Sequence, residues 1–326
     1  MALTNMQVFN EYLMPVLLQM YPQEIDRFNA ASNGTIILNA SNFDGDFMER
    51  SFYAALHSSQ RRVDRYATNA NQSATDITQN KEAAVKIAGG FGPIRYEPSQ
   101  MTWLQKPTQE GITVAARYFA EALMADQLNT AIASLVAAIG NQSSVTNDIS
   151  AGSGDAGKVS QATINDTLAT FGDMSQQIQA LVMTGAQYHR LVGDAIANSN
   201  SLFEIGGVAV RQGTTFGQGR PIIITDAPAL TSGSKQRVLC LTAAAAVMGD
   251  GSDIITNVQT NNGKQRIETT FQADYDFNLM LKGYTWDTTN GGKSPTDADL
   301  GTGSNWDLTA NNIKFQAGAL AVGATL

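Results

Sequence analysis

The chain has 326 residues, enough for a large core divided between two subdomains, and only 15% of them are charged, against roughly 25% in an ordinary soluble domain. Its net charge of −8 argues against the basic face that tight phosphate binding requires, so we expect DNA to be bound only weakly and without sequence preference. The single cysteine, Cys240, excludes intramolecular disulfides and is predicted to be a small buried hydrophobe in an apolar run.

Residues 1–45 are predicted to form an extended arm with short elements. Apolar residues recur there at helical spacing, but Pro15 and Pro22 prevent one long helix. Thr35–Leu38 has the composition of a short strand. No signal peptide is recognisable and no window approaches the length of a membrane span, so we expect no membrane partner and a reducing cytoplasm as the site of synthesis and use.

Residues 46–100 are predicted to be a long two-stranded excursion with a polar tip. The returning strand includes Val85–Ile87 and is expected to end before the glycine-rich Gly89–Pro93. Such a ribbon is marginally stable alone, so it is expected to rest on another subunit. The only short basic cluster lies in this excursion, and we interpret it as a solvated loop or a set of intersubunit ion-pair partners rather than a nucleic-acid site. Its candidate contact residues are Arg61, Arg62, Asp64 and Arg65.

Residues 108–139 give the strongest helix prediction in the chain. Apolar residues recur there at helical spacing, Thr108 can cap the start, and Gly140 can stop the helix. A helix of about 32 residues would be about 48 Å long, which suits a strut in an elongated, flat subunit. The alternatives are the central helix of an ordinary domain and a coiled coil, and the absence of charged heptads argues against the latter.

After a polar loop over residues 141–160, the sequence predicts an α/β body. The run Pro221–Thr225 reads as one buried strand, while Ala243–Met248 is ambiguous between helix and strand. The region from 265 to 286 alternates like one or two long strands. The other predicted elements are helices over 164–171 and 186–196 and strands over 178–183, 208–211 and 237–241.

Motifs for catalysis, metal binding and cofactor binding are not recognisable. His57 and His189 have no Cys or His at metal-ligand spacing, and the turn at Thr225-Asp226 has no nucleophile or base nearby. The acidic pairs Asp44/Asp46 and Asp297/Asp299 lack the ligand spacing of a calcium loop and suit turns and helix starts. We therefore predict no catalytic, cofactor or metal site, and an enzyme of unrecognised class is the most distant alternative.

Several segments, taken in order, resemble the major capsid proteins of tailed bacteriophages over nearly the whole chain. No single segment is specific, and the resemblance comes from the ordered set. The segments are Gly45–Phe52, Arg61–Asp64, Ala125–Ala131, Ala180–Tyr188, Gly219–Pro228, Lys282–Asp287, Ser294–Asp297 and Asn305–Trp306.

The resemblance implies an α+β fold, the capsid fold first described in a Hong Kong coliphage. It has an N-terminal arm, an extended loop, a peripheral domain with a long spine helix, and an axial domain at the capsomer centres. On this chain the arm would be 1–45, the loop 46–100, the peripheral domain 101–140 with 266–326 and its spine helix 108–139, and the axial domain 141–265.

The resemblance further implies a non-enzymatic subunit that assembles as hexamers and pentamers into an icosahedral virion shell around double-stranded DNA. Expected partners are a separate scaffolding protein, because the chain starts directly with the arm, a portal, and a decoration protein as an option. Some relatives cross-link a loop lysine to a neighbour, for which Lys81, Lys86 and Lys106 are available, but we favour the plain shell. The alternative function is an encapsulin-like compartment that loads cargo enzymes.

Overall fold

A computed structural model describes residues 25–26, 28–39, 47–53, 61–68, 71, 79–96, 109–197, 220–250 and 254–325. Within these ranges the strands are β1 Ile36–Asn39, β2 Phe47–Tyr53, β3 Gln79–Tyr96, β4 Thr146–Asp148, β5 Ile178–Met183, β6 Ile222–Ile224, β7 Thr231–Ser232, β8 Lys235–Thr242, β9 Ala246–Asp250, β10 Ile255–Asn261, β11 Glu268–Leu281, β12 Tyr284–Trp286, β13 Trp306–Leu308 and β14 Gly318–Ala324. The helices are α1 Gln109–Gly140, α2 Gln161–Ala169, α3 Gly185–Ala197 and the short α4 Asp297–Leu300, and residues 28–31 before β1 are also helical.

The first sheet is built around the long strand β11, in the order β1-β9-β11-β3-β2. One edge of β11 pairs antiparallel with β3, and its other edge pairs in succession with β10 and β9. The result is a long ribbon that ends at the exposed turn between β10 and β11. The alternation predicted over 265–286 is confirmed, because β11 and β12 account for nearly all of it.

The glycine-rich stretch does not end β3, and this sequence prediction was wrong. β3 runs on to Tyr96 and pairs with β11 as far as Thr269. Gly89 lies beneath the ring of Tyr275, where a Cβ atom would be 2.4 Å from Tyr275 Cε2. Glycine is therefore required here by a close side-chain approach within a strand, not by a turn.

The second sheet has the order β4-β14-β8-β5-β6, with β7 also paired to β8. The central strand β8 is fully buried from Val238 to Thr242, in agreement with the predicted strand and with the predicted burial of Cys240. β6 is an edge strand rather than a buried one, and 51% of Ile224 is exposed, so the predicted strand is correct and its predicted burial is wrong.

Two strands of the second sheet carry little sequence signal. β14 consists mainly of alanine and glycine, and a Cβ atom at Gly318 would be 2.1 Å from the carbonyl oxygen of Cys240. Small residues thus let β14 approach β8 closely. β4 pairs in parallel with β14 inside the stretch that was predicted to be a loop. The stretch Ala243–Met248, which the sequence left ambiguous between helix and strand, begins with a turn at residues 243–244 and continues as strand β9 from Ala246.

The helix α1 confirms the predicted long helix and reaches both sheets. Phe119 packs edge-on against Phe91 of β3 at 5.4 Å between ring centroids, and near the other end Gly140 approaches Leu320 of β14. Between these contacts the helix contributes fully buried side chains to a core shared with the two sheets, including Ala131, Ile132, Leu135, Ala138 and Ile139.

The stretch Tyr118–Gly140 is long and apolar enough to span a membrane by length and composition, which corrects the expectation that no window approaches that length. In the fold, 56% of that window is buried within the protein. The helix therefore packs over half of this apolar stretch into the protein, as the core helix of a domain does.

The segment after β11 forms a small unit around two tryptophans. β12 and β13 pair antiparallel, which places Trp286 opposite Trp306. The two buried rings lie edge to face with centroids 4.9 Å apart, and each indole N–H donates to a backbone carbonyl oxygen. Several predictions fall outside the described residues, namely those for the arm 1–24, Asp44, Asp46, His57, Lys106, Thr108 and the strand 208–211.

Candidate assembly surfaces

The four candidate contact residues lie in an exposed loop between β2 and β3. Every residue from 61 to 68 is exposed, and the described salt bridges include none of the three arginines. The carboxylate of Asp64 accepts a hydrogen bond from the backbone N–H of Tyr66 at 2.9 Å and so forms a local turn. Asp64 therefore shapes the loop, while the arginines point their charges into solvent.

Two apolar side chains in the same loop were not singled out from the sequence. Val63 is 67% exposed and Tyr66 is 93% exposed. Tyr and Arg are the residue types that most often dominate binding energies at protein interfaces. An aromatic residue directly after a basic cluster was the available signal. We refer to residues 61–66 as the basic loop.

The base of this excursion is anchored in the subunit. The β2–β3 pairing ends where Phe47 lies opposite Val85, and Val85 also pairs with Leu279 of β11. Lys86 forms an ion pair with Asp276 at 3.3 Å between Nζ and Oδ2. Backbone N–H groups add two ties, since Ala83 donates to Thr285 Oγ1 at 2.8 Å and Gly283 donates to Glu82 Oε1 at 3.3 Å.

A polar clamp joins the ribbon to α1. Tyr275 donates a hydrogen bond through its hydroxyl to Asp126 Oδ2 at 2.8 Å. Burial, and then the hydrogen bond to Asp126, raise the pKa of Tyr275 well above its ordinary value, so the phenol stays a protonated donor at every physiological pH. The ring of Tyr275 also covers Gly89 of β3, so this one side chain on β11 contacts both the neighbouring strand β3 and the helix α1.

The described residues that are chemically reactive types in the sequence, Cys240, His189 and Asp226, lie in different environments. Burial raises the pKa of the Cys240 thiol to about 12, so it is not a nucleophile at neutral pH. His189 is exposed beside the ring of Tyr188. Asp226 accepts from the backbone N–H of Gly185 at 3.1 Å, which explains the Thr-Asp turn as a cap for the start of α3.

The acidic pair in α4 is a helix start, as the sequence predicted. Asp299 and Thr296 form a capping box in which each side chain accepts from the backbone N–H of the other residue. Hydrogen bonds from Thr296 lower the pKa of Asp299. No group of three or more His, Cys, Asp or Glu side chains in the described part of the chain is arranged to hold a metal ion.

Comparisons with known proteins agree with one another. The profile of the family described as "Gp13-like: Major capsid protein 13-like" matches residues 5–320. No curated protein matches the chain significantly. Solved phage structures share its fold, although their sequences are only 10–12% identical to this chain.

Three of these structures show the extent of the shared fold. The cyanophage Pam1 capsid asymmetric unit has a TM-score of 0.52 at 12% identity, covering 88% of this chain and 88% of that one. The head structure of Helicobacter pylori bacteriophage KHP40 has a TM-score of 0.51 at 10% identity, covering 90% and 88%. Microbacterium phage Oxtober96 has a TM-score of 0.51 at 11% identity, covering 90% of both chains.

Proposed function

The chain belongs to the major capsid protein 13-like family, and from that premise we propose that its copies associate as hexamers and pentamers into an icosahedral shell around double-stranded DNA. The chain is a phage major capsid protein, and its place is the virion capsid. The observation that carries the function is the family match over residues 5–320, with the shared fold in agreement. The match does not favour a cargo-loading compartment.

The basic loop is our proposed intersubunit contact. It carries three arginines and one aspartate on a chain whose net charge is −8, so a second copy offers it a surface of the opposite average sign. Arg61, Arg62 and Arg65 would supply ion pairs, while Val63 and Tyr66 would supply buried apolar area. The anchored base at β3 would hold the loop away from its own subunit.

We propose that the two sheets correspond to the two capsid domains. The first sheet, with α1 lying along it, would form the peripheral domain and the second sheet, with α2 and α3, the axial domain. Strand pairing assigns β9 and β10 to the first sheet and β14 to the second, so the chain would cross between domains more often than the ranges 141–265 and 266–326 imply.

Further partners and the absence of catalysis are also part of the proposal. A separate scaffolding protein and a portal would bind the shell, with a decoration protein as an option, and the shell would form in the host cytoplasm. Packaged DNA would be held weakly and without sequence preference, because few counterions are released by a subunit of charge −8. The subunit would need no cofactor and perform no reaction.

The test of the contact is the triple variant Arg61→Gln, Arg62→Gln, Arg65→Gln. Its subunits should unfold like the wild type, because the three side chains are exposed, but they should assemble more slowly and to a lower yield. Light scattering follows the rate, and electron microscopy scores closed shells. The matched control replaces the same residues with lysine and keeps the charge. Wild-type assembly by the glutamine variant would contradict the proposed contact.

A further inference from the structure

The outer edge of β1 forms one end of the first sheet. β1 is the terminal strand and runs parallel to β9. In a strand, the backbone N–H and C=O groups of successive residues point to opposite sides. The carbonyl of Thr35 accepts from Ala245 N–H at 2.8 Å and so faces β9, which directs the backbone groups of Ile36 and Leu38 outward.

Side chains from the preceding helical segment 28–31 and from the turn that follows it already occupy these outward groups. Asn29 binds Leu38 twice: its Oδ1 accepts from the Leu38 N–H at 2.9 Å, and its Nδ2 donates to the Leu38 carbonyl at 2.6 Å. Ser32 Oγ lies 3.2 Å from the carbonyl oxygens of both Ile36 and Asn29, so its single proton is shared between these two acceptors. The amide of Asn29 thus presents the paired acceptor and donor that an adjacent β-strand would present.

The helical segment and the turn that carry Asn29 and Ser32 are themselves held by hydrogen bonds. Backbone hydrogen bonds join Ser32 N–H to Phe28 O at 2.8 Å and Gly34 N–H to Asn29 O at 3.1 Å. Thr35 Oγ1 donates to the carbonyl of Ser32 at 2.9 Å, and both of these residues are almost fully buried. Asn29 is therefore held against the strand by its own backbone as well as by its side chain.

We propose that Asn29 and Ser32 close the β1 edge against strand addition by a second copy of the chain. An open strand edge is a template for pairing with another chain, and proteins commonly block such edges. The inference rests on the proposed shell function, because shell subunits meet at high local concentration and a second pairing edge would divert them. Association would then be directed to other surfaces, such as the basic loop.

Two substitutions at Asn29 remove different numbers of its hydrogen bonds to the outward backbone groups of β1. Asn29→Ala removes both hydrogen bonds to Leu38, while Asn29→Asp can still accept from the Leu38 N–H but cannot donate to its carbonyl. The control is Ser160→Ala, which removes the capping box of α2 and loosens a part of the subunit away from β1. All are compared as unassembled subunits by sedimentation velocity over a range of concentrations.

The expected order of self-association is Asn29→Ala above Asn29→Asp, with Ser160→Ala equal to the wild type. Hydrogen exchange at the Leu38 amide should be about two- to tenfold faster in the Asn29→Ala monomer, the fold-change that corresponds to one neutral hydrogen bond. In the associated species this amide should be protected again, because a second chain covers it.

Association of Asn29→Ala no greater than that of Ser160→Ala would overturn the proposal and leave Asn29 a purely local support. So would a Leu38 amide that stays exposed in the associated species, because the second chain would then be bound elsewhere. Shell formation by the wild type is scored separately. Its failure would contradict the shell function, whereas the edge experiment uses only unassembled subunits and is read independently.

Discussion

Truncation of Leu135 to alanine tests whether α1 is the energetic centre of the subunit. Leu135 is 0% exposed and belongs to the core that joins the helix to the sheets. Removing its buried methyl and methylene groups loses their transfer free energy and leaves a cavity, which together cost about 2–5 kcal/mol. For a chain of 326 residues this corresponds to a fall in melting temperature of about 3–7 °C.

Phe119 gives an internal comparison on the same helix. Phe119 lies on the same apolar stripe, but its side chain is only half-buried, and its ring partner Phe91 is 38% exposed. Phe119→Ala should therefore cost less, about 2 kcal/mol. Asn129→Ala is the control, since Asn129 is exposed on α1 and alanine is the better helix former.

Denaturant unfolding of the three unassembled variants measures these differences through the transition midpoints. The expected order of destabilisation is Leu135→Ala, then Phe119→Ala, with Asn129→Ala at or slightly above wild-type stability. Leu135→Ala with a wild-type midpoint would refute the assignment of the buried face. A larger loss for Phe119→Ala than for Leu135→Ala would refute the ranking by burial.

Three further outcomes follow from the structure. Burial alone would raise the pKa of Asp148, but hydrogen bonds from Lys235 and from residue 150 outweigh it and lower the pKa from 3.8 to about 2. The stabilising effect of the ionised Asp148 is therefore present above pH 3.8 and lost as the pH falls to 2. Asp148→Asn should make the free energy of unfolding less dependent on pH in that window. Trypsin should cut at Arg61, Arg62 and Arg65 in free subunits and be blocked in shells; equal rates in both states would show that the loop is not an intersubunit element. The isolated subunit should bind DNA weakly, and nanomolar affinity for one sequence at physiological salt would disprove this.

The periodic pattern of apolar residues was sufficient to predict long helices and strands that bury one face. The helix α1 and the strand β11 each repeat apolar residues at a fixed period over many residues, so their extents could be predicted within a few positions. β5 and β8 were predictable for a related reason, because fully buried strands need continuous apolar runs.

Long-range contacts explain what the sequence could not reveal. The glycines of β3 indicate a turn when only the local sequence is considered. Gly89 nevertheless lies inside a strand that pairs with β11, and glycine is found there because the ring of Tyr275, far along the chain, lies over it. β14 has no β-branched residue except Val322, and its strand conformation follows from close packing on β8. The two hydrogen bonds between Asn29 and Leu38 likewise depend on how the helical segment 28–31 and its following turn fold back against β1, which the sequence pattern does not reveal.

The candidate contact residues illustrate the same division. Composition was enough to identify a solvated basic cluster, and all of its described residues are exposed. The roles of the individual residues could not be predicted from composition. The hydrogen bond that the Tyr66 backbone N–H donates to Asp64 shows that Asp64 shapes the loop, whereas the arginines present charge.

Electron microscopy of the expressed protein, with image reconstruction of the particles, tests the central claim most directly. The account predicts closed shells in which the basic loop of each subunit lies on a neighbouring subunit, with Arg61, Arg62 and Arg65 beside acidic side chains of that neighbour. Compact monomers at micromolar concentration, even with the scaffolding partner present, would contradict the shell function. Closed shells whose basic loops touch only their own subunit would contradict the proposed contact.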